Sequence, residues 1–268
     1  MVNWAHLGLL TGLPIWLAAT APLDERWRVA GWLVVGFTTL ALAERLAPHR
    51  EDWRPGRAAL RRDGTVFSIN AVVDALSSAA IALAASALFD AQSSWPSAAQ
   101  IVAGVALGEL LSYALHRLSH RDNWLWRVHL LHHRPEQVNV ANALTAHPVN
   151  ALYDKLARVA PLIALGFSGE AILAVTLFSL TQNLAVHANV AGTIGPLDLV
   201  VGSAELHRLH HSTDESQAGN FGTAVPWWDH VFGTYRRGAA PVAVGVFDPR
   251  RYPLPHALGR LLAWPFTR

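Results

Sequence analysis

Cysteine is absent from the 268 residues. That excludes disulfide staples, thiolate metal sites and cysteine nucleophiles together, and it leaves the redox compartment open. Charge is scarce as well: 15% of residues are Asp, Glu, Lys or Arg, against about 25% in soluble domains. With 52% hydrophobic residues and a mean hydropathy of +0.24, the composition is that of a membrane protein. Low-complexity tails are missing, and no internal repeat appears beyond the histidine patterns described below. The charge that remains is unevenly placed. Net charge is +2 and the pI about 9.4, and five arginines (Arg50, Arg54, Arg57, Arg61, Arg62) crowd between His49 and Arg62. Beside apolar segments this is a juxtamembrane signal. Nucleic-acid binding would want basic residues interleaved with exposed aromatics on a soluble face, so no nucleic-acid partner is expected.

What the chain has in excess is histidine. Eight of its 14 histidines fall in three clusters: His116 and His120; His129, His132 and His133; His207, His210 and His211. These patterns, H-x-x-x-H and twice H-x-x-H-H, have helical spacing, which sets side chains three or four apart on one face, about 5–6 Å apart at Cβ. Imidazole is the commonest nitrogen ligand of zinc, copper, iron and nickel. One i,i+4 pair occurs by chance on many helices; three clusters point to metal.

Four apolar stretches approach the roughly 20 residues that span a bilayer: 2–20, 29–47, 66–89 and 98–115. The first resembles a signal peptide through Ala19-Thr20-Ala21, but without a basic n-region it is expected to be a retained span. Asp74 and Glu109 are the single charges inside the third and fourth stretches, and intramembrane carboxylates face a cavity or a partner. Glu109 lies two turns before His116 on the same side, placed either to orient a ligand histidine or to make an interhelical hydrogen bond. The arginine-rich loop sits after the second span, and the loop after the third, 90–97, carries no basic residue. Positive loops stay cytoplasmic, so both termini and everything from His116 onward are expected on the cytoplasmic side of a bacterial inner membrane.

A fifth apolar segment, 156–186, constrains topology. Crossing the bilayer once, it would put the third cluster on the wrong side. It is interrupted by Gly166-Phe167-Ser168-Gly169, which predicts two half-length helices folded back as a re-entrant hairpin, with Lys155 and Arg158 at its cytoplasmic entrance; two short helices on a soluble cap are the alternative. The expected fold is therefore all-α: an integral membrane protein of about four transmembrane helices, a re-entrant helical hairpin and a cytoplasmic histidine-rich cap. It forms one membrane domain over 1–268, with N-terminal spans over 1–97, a histidine core over 98–236 and a peripheral segment over 237–268. Glycine and proline mark the stretch after the third cluster as loop, and 255–264 as a short amphipathic surface helix anchored by Arg260 and Trp264.

Eight imidazoles exceed the four ligands of a tetrahedral zinc and suit two metals with four or five each. Against that background the solitary His147 and His187 are further candidate ligands; His230 reads as structural, and His6, His49 and His256 lie away from the clusters. A nearly all-imidazole site suits iron, zinc, copper or nickel. Beside a membrane hairpin it fits oxidation of an unactivated lipid C–H bond, which no side-chain acid or base can attack.

The run His116-Arg117-x-x-His120, Leu125-Trp126-Arg127-x-His129-x-x-His132-His133, Thr145-Ala146-His147-Pro148 resembles the fatty acid hydroxylase / sterol desaturase superfamily. So do Gln182 through Asn189, His207-Arg208-x-His210-His211-Ser212, Asn220-Phe221-Gly222 and Trp228-Asp229-x-x-Phe232-Gly233-Thr234-Tyr235. The resemblance covers roughly Leu107 to Arg236 and departs at Arg134-Pro135, where relatives often have serine. It implies a membrane monooxygenase with two iron ions (zinc can replace them in a purified sample) that uses O₂ and two electrons on a lipid. The ligands it implies are His116, His120, His129, His132, His133, His207, His210 and His211, with His147 and His187 carried over less directly. No His-Pro-Gly-Gly haem motif is present, implying a separate reductase, ferredoxin or cytochrome as electron donor. Ser212, Asn220 and Trp228 are expected to shape loops. Hydroxylation of a fatty-acyl, sterol, carotenoid or other lipid is the leading expectation and desaturation at the same centre the alternative. A zinc-dependent membrane hydrolase would want an H-E-x-x-H base that neither H-x-x-H-H supplies, and a metal carrier or channel would spread its histidines along several spans. The lipid, the donor and the oligomeric state are not legible in the sequence.

Overall fold

The computed structural model describes residues 1–88 and 92–267; the end of the expected third span and the start of the loop after it, 89–91, lie outside the described residues. Among the described residues ten α-helices follow in order: α1 (Trp4–Ala19), α2 (Glu25–Leu46), α3 (Arg57–Leu88), α4 (Ser97–Ser119), α5 (Asn123–His133), α6 (Pro148–Ala164), α7 (Gly169–His187), α8 (Ala204–His210), α9 (Trp227–Val231) and α10 (Leu258–Ala263). Among the described residues no strand forms, only isolated β-bridges, so the chain is all-α. Side-chain caps fix several starts: Asp24 accepts from Arg26 N, Asp122 from Leu125 N, Ser168 from Ala171 N and Ser203 from Leu206 N, each satisfying an amide the first turn leaves unpaired.

Among the described residues four helices are long and apolar enough to cross a membrane: α2, α3, α4 and α7. The number matches expectation but the membership does not. At 16 residues α1 falls short, whereas the second arm of the fifth apolar segment is 19 residues long. The arms of that segment also exceed half-length, because α6 begins at Pro148 and runs 17 residues.

The two arms run antiparallel along α4. Gln100 near the start of α4 accepts from Ser168 N at the bend, and Glu109 halfway along pairs with Arg158 of α6 and accepts from Ser179 of α7. Small residues make room: a Cβ on Gly104 would lie 2.9 Å from Val175 Cγ2, and one on Gly108 3.4 Å from the Arg158 carbonyl. Gly166 makes the bend at φ +70°, a left-handed value that costs glycine nothing. This hairpin returns the chain, so His187 ends α7 at the same end of the bundle as His116 on α4. Arg158 is not at an entrance but beside mid-α4, bridging Glu109 and Asp154, while Lys155 pairs with Asp74 of α3. Glu109 therefore serves helix packing: its other oxygen accepts from Ala224 N, and no histidine reaches it. The core is built from α1, α2 and α7, with Trp32 donating to Thr181 and packing on Trp16.

Candidate metal centre

Four helices end at one place. His116 lies in the last turn of α4 and His120 is its C-cap; His132 and His133 close α5; His187 closes α7; His207 and His210 lie on the last turn of α8, with His211 its C-cap. Carbonyl ends carry about half a negative charge each, so four of them together favour a cation.

The imidazoles form two groups, within each of which one ring nitrogen per residue lies within 4.8 Å of the others: His116, His120, His129, His133 and His210, and His132, His187, His207 and His211. The H-x-x-H-H repeat explains the division. Positions i and i+4 share a group while i+3 turns to the other, so α5 sends His129 and His133 one way and His132 the other, and α8 sends His207 and His211 one way and His210 the other. Each helix ties the two groups together.

The hydrogen bonds orient the rings. Backbone carbonyls of Phe221, Thr145, Asn183 and Gly219 accept from Nδ1 of His116 (2.7 Å), His132 (3.2 Å), His187 (2.7 Å) and His210 (2.8 Å). A carbonyl cannot donate, so each Nδ1 carries the hydrogen and a neutral ring must present a bare lone pair at Nε2. The Nε2 atoms of His132 and His187 face each other at 3.3 Å, two lone pairs with no hydrogen to share. His116 Nε2 and His120 Nε2 are buried without any partner. Converging lone pairs and orphaned acceptors are what a bound cation resolves, and an all-imidazole donor set suits iron, zinc, copper or nickel. The residues fit two metal ions.

The supporting residues come from loops. Asp229 on α9 accepts from Phe221 N, Gly222 N and Thr234 Oγ1, which sets the Phe221 carbonyl against His116. Gly222 is packed so closely that a Cβ would meet the Val225 carbonyl at 2.3 Å. Asn220 sits at φ +51° and spans the loop from Leu206 O to Arg236 O, shaping it as expected. Asn150 holds His129 Nδ1 at 2.7 Å. Asn150 gave no sequence signal, and Thr145 stood only in a motif without a role of its own, because what each does depends on how α6 and the preceding loop fold onto α5. His147 is not brought into either group. Its Nδ1 caps α6 by accepting from Val149 N, and its Nε2 lies 3.1 Å from the Leu262 carbonyl, so both nitrogens are engaged away from the centre. His230 stacks on Tyr235 at 4.1 Å; His6 is buried against Gln182.

Burial pushes the imidazoles of α5 and α8 below the ordinary histidine range, His132 down to about 4. The unfolded chain, with histidines near about 6.5, thus binds more protons between those values. Stability of the metal-free protein is full above that window and falls as pH drops through it. Protons compete with metal there too. A lower unfolding temperature at pH 5 than at pH 7, with metal released over the same interval, is the expected result of a pH series in detergent.

The fold and site are those of a helical protein with four helices long and apolar enough to cross a membrane and two histidine groups that could each hold a metal ion. A family model described as fatty acid hydroxylase matches residues 101–234. The chain belongs to that family. It is 30% identical to the ornithine lipid hydroxylase OlsE of Rhizobium tropici over 77% of this chain and 66% of that protein. It is also 30% identical to human alkylglycerol monooxygenase over 51% of this chain and 31% of that protein, and 29% identical to methylsterol monooxygenase 1 of Gallus gallus over 46% and 41%. The matches thus span less than two thirds of these relatives' lengths. No solved structure matches.

Proposed function

We propose that the chain is an O₂-dependent hydroxylase of a membrane lipid, with two iron ions held by five and four of the nine gathered histidines. The observation that carries the reading is the pair of imidazole groups whose lone pairs converge because backbone carbonyls hold Nδ1. Two irons supplied with O₂ and two electrons provide the oxidant that an unactivated C–H bond requires. One oxygen atom enters the lipid and the other leaves as water, with two protons consumed. The chain's own residues do the rest. His116, His120, His129, His133 and His210 hold one ion, and His132, His187, His207 and His211 the other. Carbonyls of Phe221, Thr145, Asn183 and Gly219 keep each ring aimed, and Asp229 fixes the loop beside His116.

In this reading α6 and α7 lie in the bilayer as a returning hairpin with the histidines at the cytoplasmic face; the apolar length of α7 and the arginine-rich loop after α2 support it. A lipid is supported as substrate by a groove of about 340 Å³ on α4, where Leu110, Ala114 and Phe232 lie below Arg117 and Arg121. Its wall, Tyr113, packs on Phe221 next to His116. Apolar residues beneath two guanidiniums suit an acyl chain with an anionic headgroup at the interface. Hydroxylation is favoured over desaturation because the relatives are named as hydroxylases and monooxygenases.

Metal analysis of protein purified anaerobically from iron-replete cells is expected to give about two irons per chain, matching the two imidazole groups. Lipid extracts of cells with and without the gene should differ by one added oxygen; loss of two hydrogens would indicate desaturation. A single tightly held zinc with hydrolytic activity would overturn the proposal.

A further inference from the structure

One wall of the histidine centre is a ring that ligates nothing. Trp126 on α5 has its ring centroid 5.3 Å from His120 and 5.6 Å from His133. Its Nε1 donates to the Tyr252 hydroxyl at 3.1 Å, with the rings 6.2 Å apart. Tyr252 lies 6.2 Å from Trp264, edge to face. Trp264, half-buried at the end of α10, sits under the Arg127 guanidinium at 5.1 Å. Three rings from three separate segments thus form an unbroken column from the imidazoles to the surface. Leu130, Leu131, Val66 and Leu261 pack around it, so aliphatic residues already supply packing in this layer.

The outer end is basic. Arg250, Arg251 and Arg260 are exposed, Arg127 covers Trp264, and Asp248 is the one acidic residue between Gly238 and Thr267. The segment expected to anchor to lipid through Trp264 instead turns that ring inward against α5.

We propose that Trp126, Tyr252 and Trp264 are the route by which electrons enter the centre, and that Arg127, Arg251 and Arg260 dock an acidic one-electron carrier protein at its outer end. The inference rests on the iron reading above. Electron tunnelling falls off exponentially across gaps, and π systems in contact bridge a given span better than aliphatic side chains. In each step the carrier is oxidised by one electron and one ferric ion becomes ferrous. The rings bridge and end unchanged, no bond is made or broken, and no proton moves; two such steps serve each O₂. Opposite charge steers the carrier and sets its orientation more than its affinity, so the encounter weakens with salt.

A second aromatic line supplies the internal control. Phe221, 5.3 Å from His120, contacts Tyr113, which stacks on Phe232 at 5.4 Å. It opens beside Leu110 and Ala114 in the apolar groove of α4, a face that a water-soluble carrier does not reach.

The test exploits the missing cysteine. Gly259 is exposed with nothing within 4 Å of an added Cβ, so Gly259→Cys in the full chain accepts a photoreducible ruthenium label. Flash injection then reads the ferric-to-ferrous rate without turnover. Trp126→Leu, Tyr252→Leu and Trp264→Leu are each expected to slow it by an order of magnitude or more at unchanged iron content. Tyr252→Phe and Trp126→Phe should restore most of it, and Phe232→Leu should leave it unaltered. In the unlabelled protein, reduction by a plant-type ferredoxin should fall with salt and collapse in the Arg127→Glu/Arg251→Glu/Arg260→Glu variant, whose flash rate in the labelled form persists. Wild-type flash rates in iron-replete leucine variants would overturn the route, and ferredoxin rates indifferent to charge reversal would overturn the docking face. A chain that binds no iron at all would instead defeat the functional reading beneath both.

Discussion

On the proposed di-iron reading, His132→Ala is expected to strip the metal ion from the four-histidine group and to lower turnover by more than about 100-fold, beyond the roughly 10–100-fold cost of losing an outer partner of a ligand. His210→Ala, which leaves four of five imidazoles in its group, is expected to retain more metal while still losing turnover. The asymmetry follows from the division of the rings, since the smaller group drops to His187, His207 and His211. His132 is also the one ring of α5 in that group, so its removal uncouples α5 from α7 and α8 there. His147→Ala is expected to keep both ions, because its nitrogens serve Val149 and Leu262. His6→Ala also keeps them, but it leaves Gln182 short of a buried partner and costs about 1–3 kcal/mol of stability. Elemental analysis beside product formation separates these outcomes. Equal metal content in the His132, His147 and His6 variants would refute the ligand assignment.

Arg158→Leu is the second change with a large expected effect, and it acts on the fold rather than the metal. Glu109 is 1% exposed on a helix read as membrane-spanning, and Arg158 is its cationic partner. Breaking a buried pair from one side leaves an uncompensated carboxylate and costs about 3–5 kcal/mol. Glu109→Gln added to Arg158→Leu should recover most of the loss. The amide removes the charge; its oxygen can accept from Ala224 N while its NH₂ donates to the Ser179 hydroxyl, the two groups from which Glu109 now accepts. Unfolding followed in detergent is the measurement; a double variant no more stable than Arg158→Leu alone would show that the pair's charge is not what matters.

Much of the centre was legible because helical spacing is a local property. His116 and His120, like the two H-x-x-H-H runs, must share helix faces wherever the helices go. The fold-back of the fifth apolar segment was legible too, since Gly166 and Ser168 interrupt it and the third cluster must rejoin the others. Its arm lengths were not, because the start of α6 is set by His147 capping the helix before Pro148, a role hidden behind the expectation that this histidine binds metal. The span count likewise concealed an exchange. The first apolar stretch starts helically only at Trp4 and ends at Ala19, while α7 gained length by running unbroken to His187.

The sequence by itself determined the donor chemistry: no thiols, few carboxylates, and imidazoles at intervals of three and four. It also determined the family, because those motifs occur in order. Only the tertiary structure decided which imidazoles belong together, since i+3 and i+4 diverge by about a third of a turn and the side each faces depends on where α5 and α8 lie. The same holds for His147, excluded by a carbonyl 115 residues away in sequence, and for the Trp126, Tyr252 and Trp264 column. Contacts between distant segments arise from packing, and local periodicity carries no record of them.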